Sequence, residues 1–256
     1  MLTSQRRQHI LEVLRRTGQV IAADLSRELG LSEDTIRRDL RELAAEGLLQ
    51  RVHGGALPAS AAMGDFAARL TVATEEKVAI GRAAAGMVRA GQVVILDGGT
   101  TALQIARHLP VGLEATVVTH SPTIAVELVG NPTVEVLLIG GRLFKHSVVS
   151  VGAAAIEAIG RIHADIYFMG VTGIHPKIGL TTGDFEEAHV KRALSEAAAE
   201  TVVLGSPEKL HAASPYVVMG WGEVTSMIVA GGTPEGSLGA FRGLGVNLVM
   251  AEKGGR

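Results

Sequence analysis

The chain contains no cysteine. Disulfides, thiolate metal sites and a cysteine nucleophile are thereby excluded, and the usage suits a reducing compartment. No stretch approaches the roughly eighteen consecutive apolar residues of a membrane span, so none is expected. The start, MLTSQRRQHILEVLRR, lacks the uninterrupted apolar centre of a signal peptide and reads as an amphipathic helix. Charge of one sign is also missing: the net charge is only −2. The nine histidines show neither HxH nor HExxH spacing, so neither a metal site nor another cofactor is expected. Lysine is absent from residues 1–55, where all nine basic residues are arginine, set against eight acids. Arginine's planar fork suits phosphate and guanine better than an ammonium does.

What is present is a chain of 256 residues, 47% hydrophobic and 20% charged, enough for two unequal domains with a sizeable core. Ile10, Val13 and Leu14 recur at helical spacing, with Arg6, Arg7, Arg15 and Arg16 off that face, and Gly18 ends the helix. Val20 and Ile21 lead into a second helix, in which Ala22, Leu25 and Leu29 share a face before Gly30 turns the chain. Ser32 is a suitable N-cap for a third helix, and Glu33 and Asp34 suit its first turn. Ile36, Leu40 and Leu43 then point inward, leaving Thr35, Arg37, Arg38 and Arg41 outside. Residues 48–53 alternate like a strand, and Gly54-Gly55 permits a hairpin turn.

Two short helices about a tight turn, followed by a basic β-ribbon, place one helix in the DNA major groove with the ribbon beside it. Bases are read near the start of such a helix, whereas arginines and backbone N–H groups hold phosphates. Ser32, Thr35 and Arg37 are therefore expected at the groove floor or its edge. Arg38, Arg51 and His53 are expected at phosphates or on the minor-groove side.

Residues 56–71 are Ala-rich with Pro58 and Gly64 and read as a connector. Residues 74–88 form a helical pattern. Short apolar runs at 93–97, 115–119, 134–139, 166–170, 201–205 and 227–230 then alternate with helical stretches near 100–109, 121–129, 152–160 and 185–199. Strands buried on both faces and separated by helices predict a parallel sheet in an α/β layer fold. The Gly-rich stretch 231–239 reads as loop. Ligands of such sheets sit beyond the carboxyl ends of the strands. There the chain offers Asp97-Gly98-Gly99-Thr100-Thr101, Thr119-His120-Ser121, Gly140-Gly141-Arg142 and Gly205-Ser206-Pro207-Glu208-Lys209. Glycines and helix N–H groups can cradle a phosphate, and threonine hydroxyls and a lysine can hold it.

The stretch SEDTIRRDLRELAAEGLLQRVHGGA resembles the winged helix-turn-helix of the DeoR family of bacterial transcriptional repressors. EEKVAIGRAAA, LDGGTTALQIARHL, VVTHSPTIAVEL, VEVLLIGGRL and GLTTGDFEEAHVKRAL resemble that family's C-terminal effector domain. The resemblance runs to about residue 232. It implies a winged helix-turn-helix domain over 1–57, a linker over 58–72, and a three-layer α/β domain over 73–256, Rossmann-like and similar in fold to ribose-5-phosphate isomerase. It implies a cytoplasmic repressor of sugar or carbon metabolism genes, a homodimer or homotetramer on a double-stranded operator, released by a phosphorylated sugar or related metabolite. By that likeness Asp97 contacts sugar hydroxyls, Gly99, Thr100 and Thr101 hold phosphate, and Lys209 pairs with it. Thr119, Gly140 and Gly141 line the pocket, and Glu187 stands where the isomerases place a catalytic glutamate; His120, beside Thr119 at the same strand end, is expected at the effector site as well.

Three positions depart from the family pattern. Gly205-Ser206 replaces an Ala-Asp, Ala230-Gly231 replaces a Thr-Asp, and His120 replaces an asparagine. They imply a subgroup with its own effector. The other reading is a sugar-phosphate isomerase or deaminase fused to a DNA-binding module. Asp97, Asp184, Glu186 or Glu187 could then be the base, but no paired-carboxylate motif accompanies them.

Overall fold

The computed structural model describes residues 2–252. The first domain holds α1 (Thr3–Thr17), β1 (Val20–Ile21), α2 (Ala22–Leu29), α3 (Glu33–Ala45), β2 (Leu49–Val52) and β3 (Gly55–Pro58), with sheet order β1-β3-β2. Ile10, Leu14, Leu25, Ile36, Leu40 and Leu43 form its core, as the helical periodicities require. Ser32 caps α3 by accepting the Thr35 N–H at 3.3 Å. The wing turns at His53-Gly54, with Gly54 at φ 78°. Gly55 is already in the strand, where a Cβ would lie 1.8 Å from the Val20 carbonyl oxygen. Only glycine lets β3 pair with β1 at this point.

One feature of this domain runs against the sequence pattern. Arg6 is not on the solvent face of α1 but buried, and it forms a two-point ion pair with the fully buried Asp39 of α3. The Nη2–Oδ1 bond is 3.1 Å. This pair pins the recognition helix to α1. Removing one partner leaves a buried charge alone, so Asp39→Ala should cost about 3–5 kcal/mol of first-domain stability. Chemical denaturation of the variant measures it; a loss below about 1 kcal/mol would make the pair a mere surface contact.

The second domain contains the remaining elements: α4 (Phe66–Arg69), α5 (Thr74–Ala85), β4 (Val93–Leu96), α6 (Thr100–His108), β5 (Ala115–Thr119), α7 (Pro122–Leu128), β6 (Val134–Leu138), β7 (Arg142–Phe144), β8 (Val149–Val151), α8 (Ala153–Ile159), β9 (Ala164–Met169), β10 (Gly173–His175), β11 (Gly179–Thr182), α9 (Phe185–Glu196), β12 (Ala198–Gly205), β13 (Tyr216–Met219), β14 (Ser226–Ala230), α10 (Glu235–Arg242) and β15 (Asn247–Ala251). Seven strands form one parallel sheet in the order β15-β14-β12-β9-β4-β5-β6. Alternate residues feed opposite faces. Val94 and Leu96 pack with α5, α6 and α7, whereas Ile95 packs with α8, α9 and α10. The result is a three-layer α/β domain. The expectation of loop over 231–239 is corrected by α10, whose Leu238 and Phe241 are buried in the core, and by β15 beyond it.

The order of strands fixes where a ligand can sit. From β4 the chain proceeds to β5 and β6 on one side, then returns to place β9 on the other. Helices leaving neighbouring strand ends in opposite directions open a crevice at this switch point.

Segment 59–72 is not a free spacer. Ala59 bridges to Ala213, the Ser60 hydroxyl donates to the Thr172 carbonyl, and the Phe66 N–H donates to the His146 carbonyl at 2.8 Å. It is a strap packed on the second domain, joined through Pro58 to the wing strand β3.

Candidate functional site

On the first domain, Ser32, Arg37, Arg38, Arg51 and His53 are all exposed, and Thr35 is half-buried. They lie on the start of α3 and along the wing. Arg37 is engaged within its own helix by Glu33 and, at 3.8 Å, by Asp34. To reach a base it must exchange these exposed pairs, which hold it weakly.

On the second domain, the switch-point crevice is a depression of about 400 Å³ including its open mouth. Only about 20 Å³ of it is reachable by the centre of a water molecule. The β4–α6 turn forms the floor. Gly99, at φ 113°, is the N-cap of α6 and offers no capping side chain, so the first N–H groups of α6 face the cavity uncapped. Thr100 and Thr101 stand on the same turn. From the turn after β12 comes Lys209, whose ammonium lies 3.5 Å from the Thr101 hydroxyl and 3.4 Å from the Leu204 carbonyl. Burial pushes this amine down to about 8, with Lys77, Arg69 and Lys191 adding to the effect and Glu208 opposing it.

The structure thus brings together Gly99, Thr100, Thr101, Glu187 and Lys209 from the sequence expectations. It adds four residues that sequence reasoning passed over: Arg69 of the strap, Lys77 of α5, Lys191 of α9 and Glu208. Lys191 follows Glu187 by one helical turn, the only sequence signal that could have found it. Lys77 is buried, donates to the Arg69 carbonyl at 2.9 Å and lies 3.6 Å from Glu208.

Asp97, Thr119, His120, Gly140 and Gly141 do not reach this cavity. Asp97 is fully buried beneath the floor, and its carboxylate accepts from five donors: His120 Nε2, the Gly98 and Gly170 N–H groups, the Tyr167 hydroxyl and Lys191 Nζ, all at 2.7–2.9 Å. No oxygen is left for a sugar hydroxyl, so the expected direct contact is corrected to a supporting one. Burial alone would raise the Asp97 carboxyl, but Lys191 and His120 hold it far below the usual carboxylate range. Burial and the Asp97 charge push the Tyr167 phenol well up, so it stays a donor. His120 spans from Asp97 to the Ser150 carbonyl at 3.0 Å, tying β5 to β8. Both its ring nitrogens face acceptors. Thr119 is buried and accepts the Ser121 N–H at 3.1 Å. Gly140-Gly141 lead into the β7–β8 hairpin; a Cβ on Gly141 would lie 2.9 Å from the Val151 carbonyl oxygen.

A winged helix-turn-helix joined to an α/β domain with a cation-lined crevice defines a ligand-responsive DNA-binding regulator. Residues 6–61 match the DeoR-like helix-turn-helix domain, and residues 72–230 match the DeoR C terminal sensor domain. The HTH-type transcriptional regulator GlpR of Haloferax volcanii is 34% identical over 251 residues, covering 97% of this chain and 98% of that protein. The HTH-type transcriptional repressor GlcR of Bacillus subtilis is 32% identical over 230 residues, covering 89% and 88%. Ribose 5-phosphate isomerase A of Methanocaldococcus jannaschii aligns over 52% of each chain at 18% identity, with a TM-score of 0.39. The chain belongs to the DeoR family of transcriptional regulators. Among the described residues, no helix is long and apolar enough to cross a membrane, and no three His, Asp or Glu side chains cluster as metal ligands.

Proposed function

We propose that this regulator represses sugar or carbon metabolism genes in the cytoplasm and leaves its operator when a phosphorylated sugar or related metabolite enters the switch-point crevice. Residues 1–57 read the DNA, 58–72 connect, and 73–256 bind the effector and pair the chains as a homodimer or homotetramer. The observation that carries the effector reading is the convergence of Lys209, Lys77, Arg69 and Lys191 on the uncapped N-terminus of α6. Four cations stand against Glu187, Glu208 and, beneath the floor, Asp97, so positive charge is in excess beside the α6 N-terminus, an arrangement suited to an anion. The exposed Leu137 and Leu138 on edge strand β6, with Val126 and Val129 nearby in sequence on and after α7, support a pairing face there.

The enzyme reading finds little support. Asp97 is saturated, Asp184 caps α9 by accepting the Glu187 N–H, and Glu187 is held by Thr182 and Lys191. An operator-binding assay titrated with a panel of sugar phosphates, beside their unphosphorylated sugars, tests the proposal. Release by a phosphate ester and not by the free sugar is expected; release by the free sugar alone would overturn the phosphate site.

Two further outcomes follow from the geometry. Arg37→Ala should cost about 1–3 kcal/mol on operator and relax base preference, whereas Arg51→Ala should weaken all sequences alike and flatten the salt slope. Binding to a base-substituted operator series at several salt concentrations separates these roles. Effector affinity should fall as pH rises through about 8, where Lys209 loses its proton while a phosphate ester keeps both charges. The sign for stability is the reverse. A lysine held below its ordinary value is favoured neutral by folding, so the effector-free protein should gain stability as pH rises from about 8 towards that ordinary value. Effector titrations and melting curves at pH 7 and 9 check both signs.

A further inference from the structure

Arg69 is an anomaly in its surroundings. Its Nε donates to the Asp65 carbonyl at 3.3 Å, but its Nη2 is buried without any partner. It makes no ion pair with any carboxylate among the described residues. Its Nη1 lies 3.8 Å from where a Cβ would stand on Gly99, directly before the N-terminus of α6. A guanidinium is thus set against the positive end of a helix and beside Lys77 and Lys209, all three without a full counter-charge. Burying a cation in this way is unfavourable unless an anion arrives. Burial indeed pushes the Arg69 guanidinium below its ordinary value, against the pull of Glu187, Asp65, Asp97 and Glu208.

The crevice is also narrow: only about 20 Å³ of it is reachable by the centre of a water molecule. Its roof is the strap: Ala62 and Arg69 close it, and the Lys77 ammonium holds the strap by the Arg69 carbonyl. A ligand in the crevice lies against this roof. The roof in turn continues, through Ser60, Ala59 and Pro58, into β3 of the wing.

We infer that Arg69 is an anion-binding residue supplied by the interdomain strap, so that a phosphate in the crevice is gripped from the sheet edge by Lys209 and the α6 N-terminus and from the strap by Arg69. The inference rests on the phosphate reading of the crevice and deepens it. Sheet edge and strap are then cross-linked by the ligand itself. The ligand resets the position of the segment that carries the DNA-reading wing. This supplies what an inducer requires, a different set of contacts in its two states.

Full-length protein and inorganic phosphate as the probe test it. Because the chain has no cysteine, Ala67→Cys, an exposed strap position, takes a single environment-sensitive fluorophore. Phosphate should shift its emission in the Ala67→Cys background and not in Ala67→Cys/Arg69→Ala. Phosphate affinity by calorimetry should fall about 10- to 100-fold in Arg69→Ala, with Arg69→Lys between the two, since the charge stays but the fork is lost. In phosphate-free buffer Arg69→Ala should melt at or above the parent temperature, because an uncompensated cation is gone; a merely structural arginine would lower it. Unimpaired phosphate binding by Arg69→Ala, or a lowered melting temperature with unchanged affinity, overturns this inference while leaving the phosphate site standing. Failure of the parent chain to bind phosphate or any phosphate ester overturns both.

Discussion

Replacing Lys209 by alanine, or Thr100 by valine, is expected to leave operator affinity close to that of the parent chain while abolishing release by the effector. An inducer acts only through its differential affinity for two states. Moving a 99:1 equilibrium to 1:99 takes roughly a 10⁴-fold preference. On the proposed reading, much of that preference comes from the phosphate, through charge-assisted bonds to Lys209 and to the Gly99-Thr100-Thr101 turn that line the crevice. Neither residue is part of the DNA-reading domain. In a cell the result is an uninducible repressor. A purely structural role for Thr100 predicts otherwise: a loss of about 1 kcal/mol from the first turn of α6, with induction preserved. Operator titrations with and without effector, beside a melting curve, decide between the two. Normal induction in both variants would remove the phosphate from this site.

Asp97→Ala should be the most damaging single change in the second domain, at about 3–5 kcal/mol. The carboxylate is fully buried and is the common acceptor for Lys191, His120, Tyr167 and two backbone N–H groups. Its loss strands the Lys191 ammonium, whose remaining partner is Glu187 at 3.4 Å. It also frees the ends of β4, β5 and β9, which the carboxylate ties together beneath the crevice. A shift of roughly 2–4 °C in melting temperature per kcal/mol puts the expected drop near 10 °C. The acid limb should change as well. A carboxylate held below its unfolded value gives stability that is present above that value and lost as pH falls through the folded one. The parent chain should therefore lose stability progressively below about pH 4, and the variant should lack that component. A variant that melts within 2–3 °C of the parent would mean that Asp97 is free enough to serve a ligand after all.

Much of the fold is legible in the residues. Six of the seven parallel strands appear as short apolar runs; β4, β9, β12 and β14 lie inside the sheet with little polar alternation, and the edge strand β6 is apolar although partly exposed. β15 and α10 escaped notice, since Gly231, Gly232, Gly236 and Gly239 give their approach a loop's composition although Leu238 and Phe241 sit in the core. The short antiparallel strands β10, β11 and β13 depend on pairing with one another; the glycine-containing β10 and β11 and the four-residue β13 carry little local signal.

The chemistry divides along a similar line. Sequence by itself determined the two kinds of domain, the capped recognition helix with its outward arginines, the glycine-dependent wing and the Gly99-Thr100-Thr101 turn. Each of these is a matter of local spacing and local backbone freedom. Tertiary structure alone decided which charges are paired and which are left waiting. Arg6 and Asp39 look like surface residues until α1 crosses α3. Asp97 ends its strand at the ligand edge, yet faces downward into a buried network, while Arg69, written in an apparent spacer, becomes the roof of the crevice. Whether a charge is solvated, neutralised or held ready for a ligand depends on what packs around it from distant parts of the chain, and only the folded arrangement sets that.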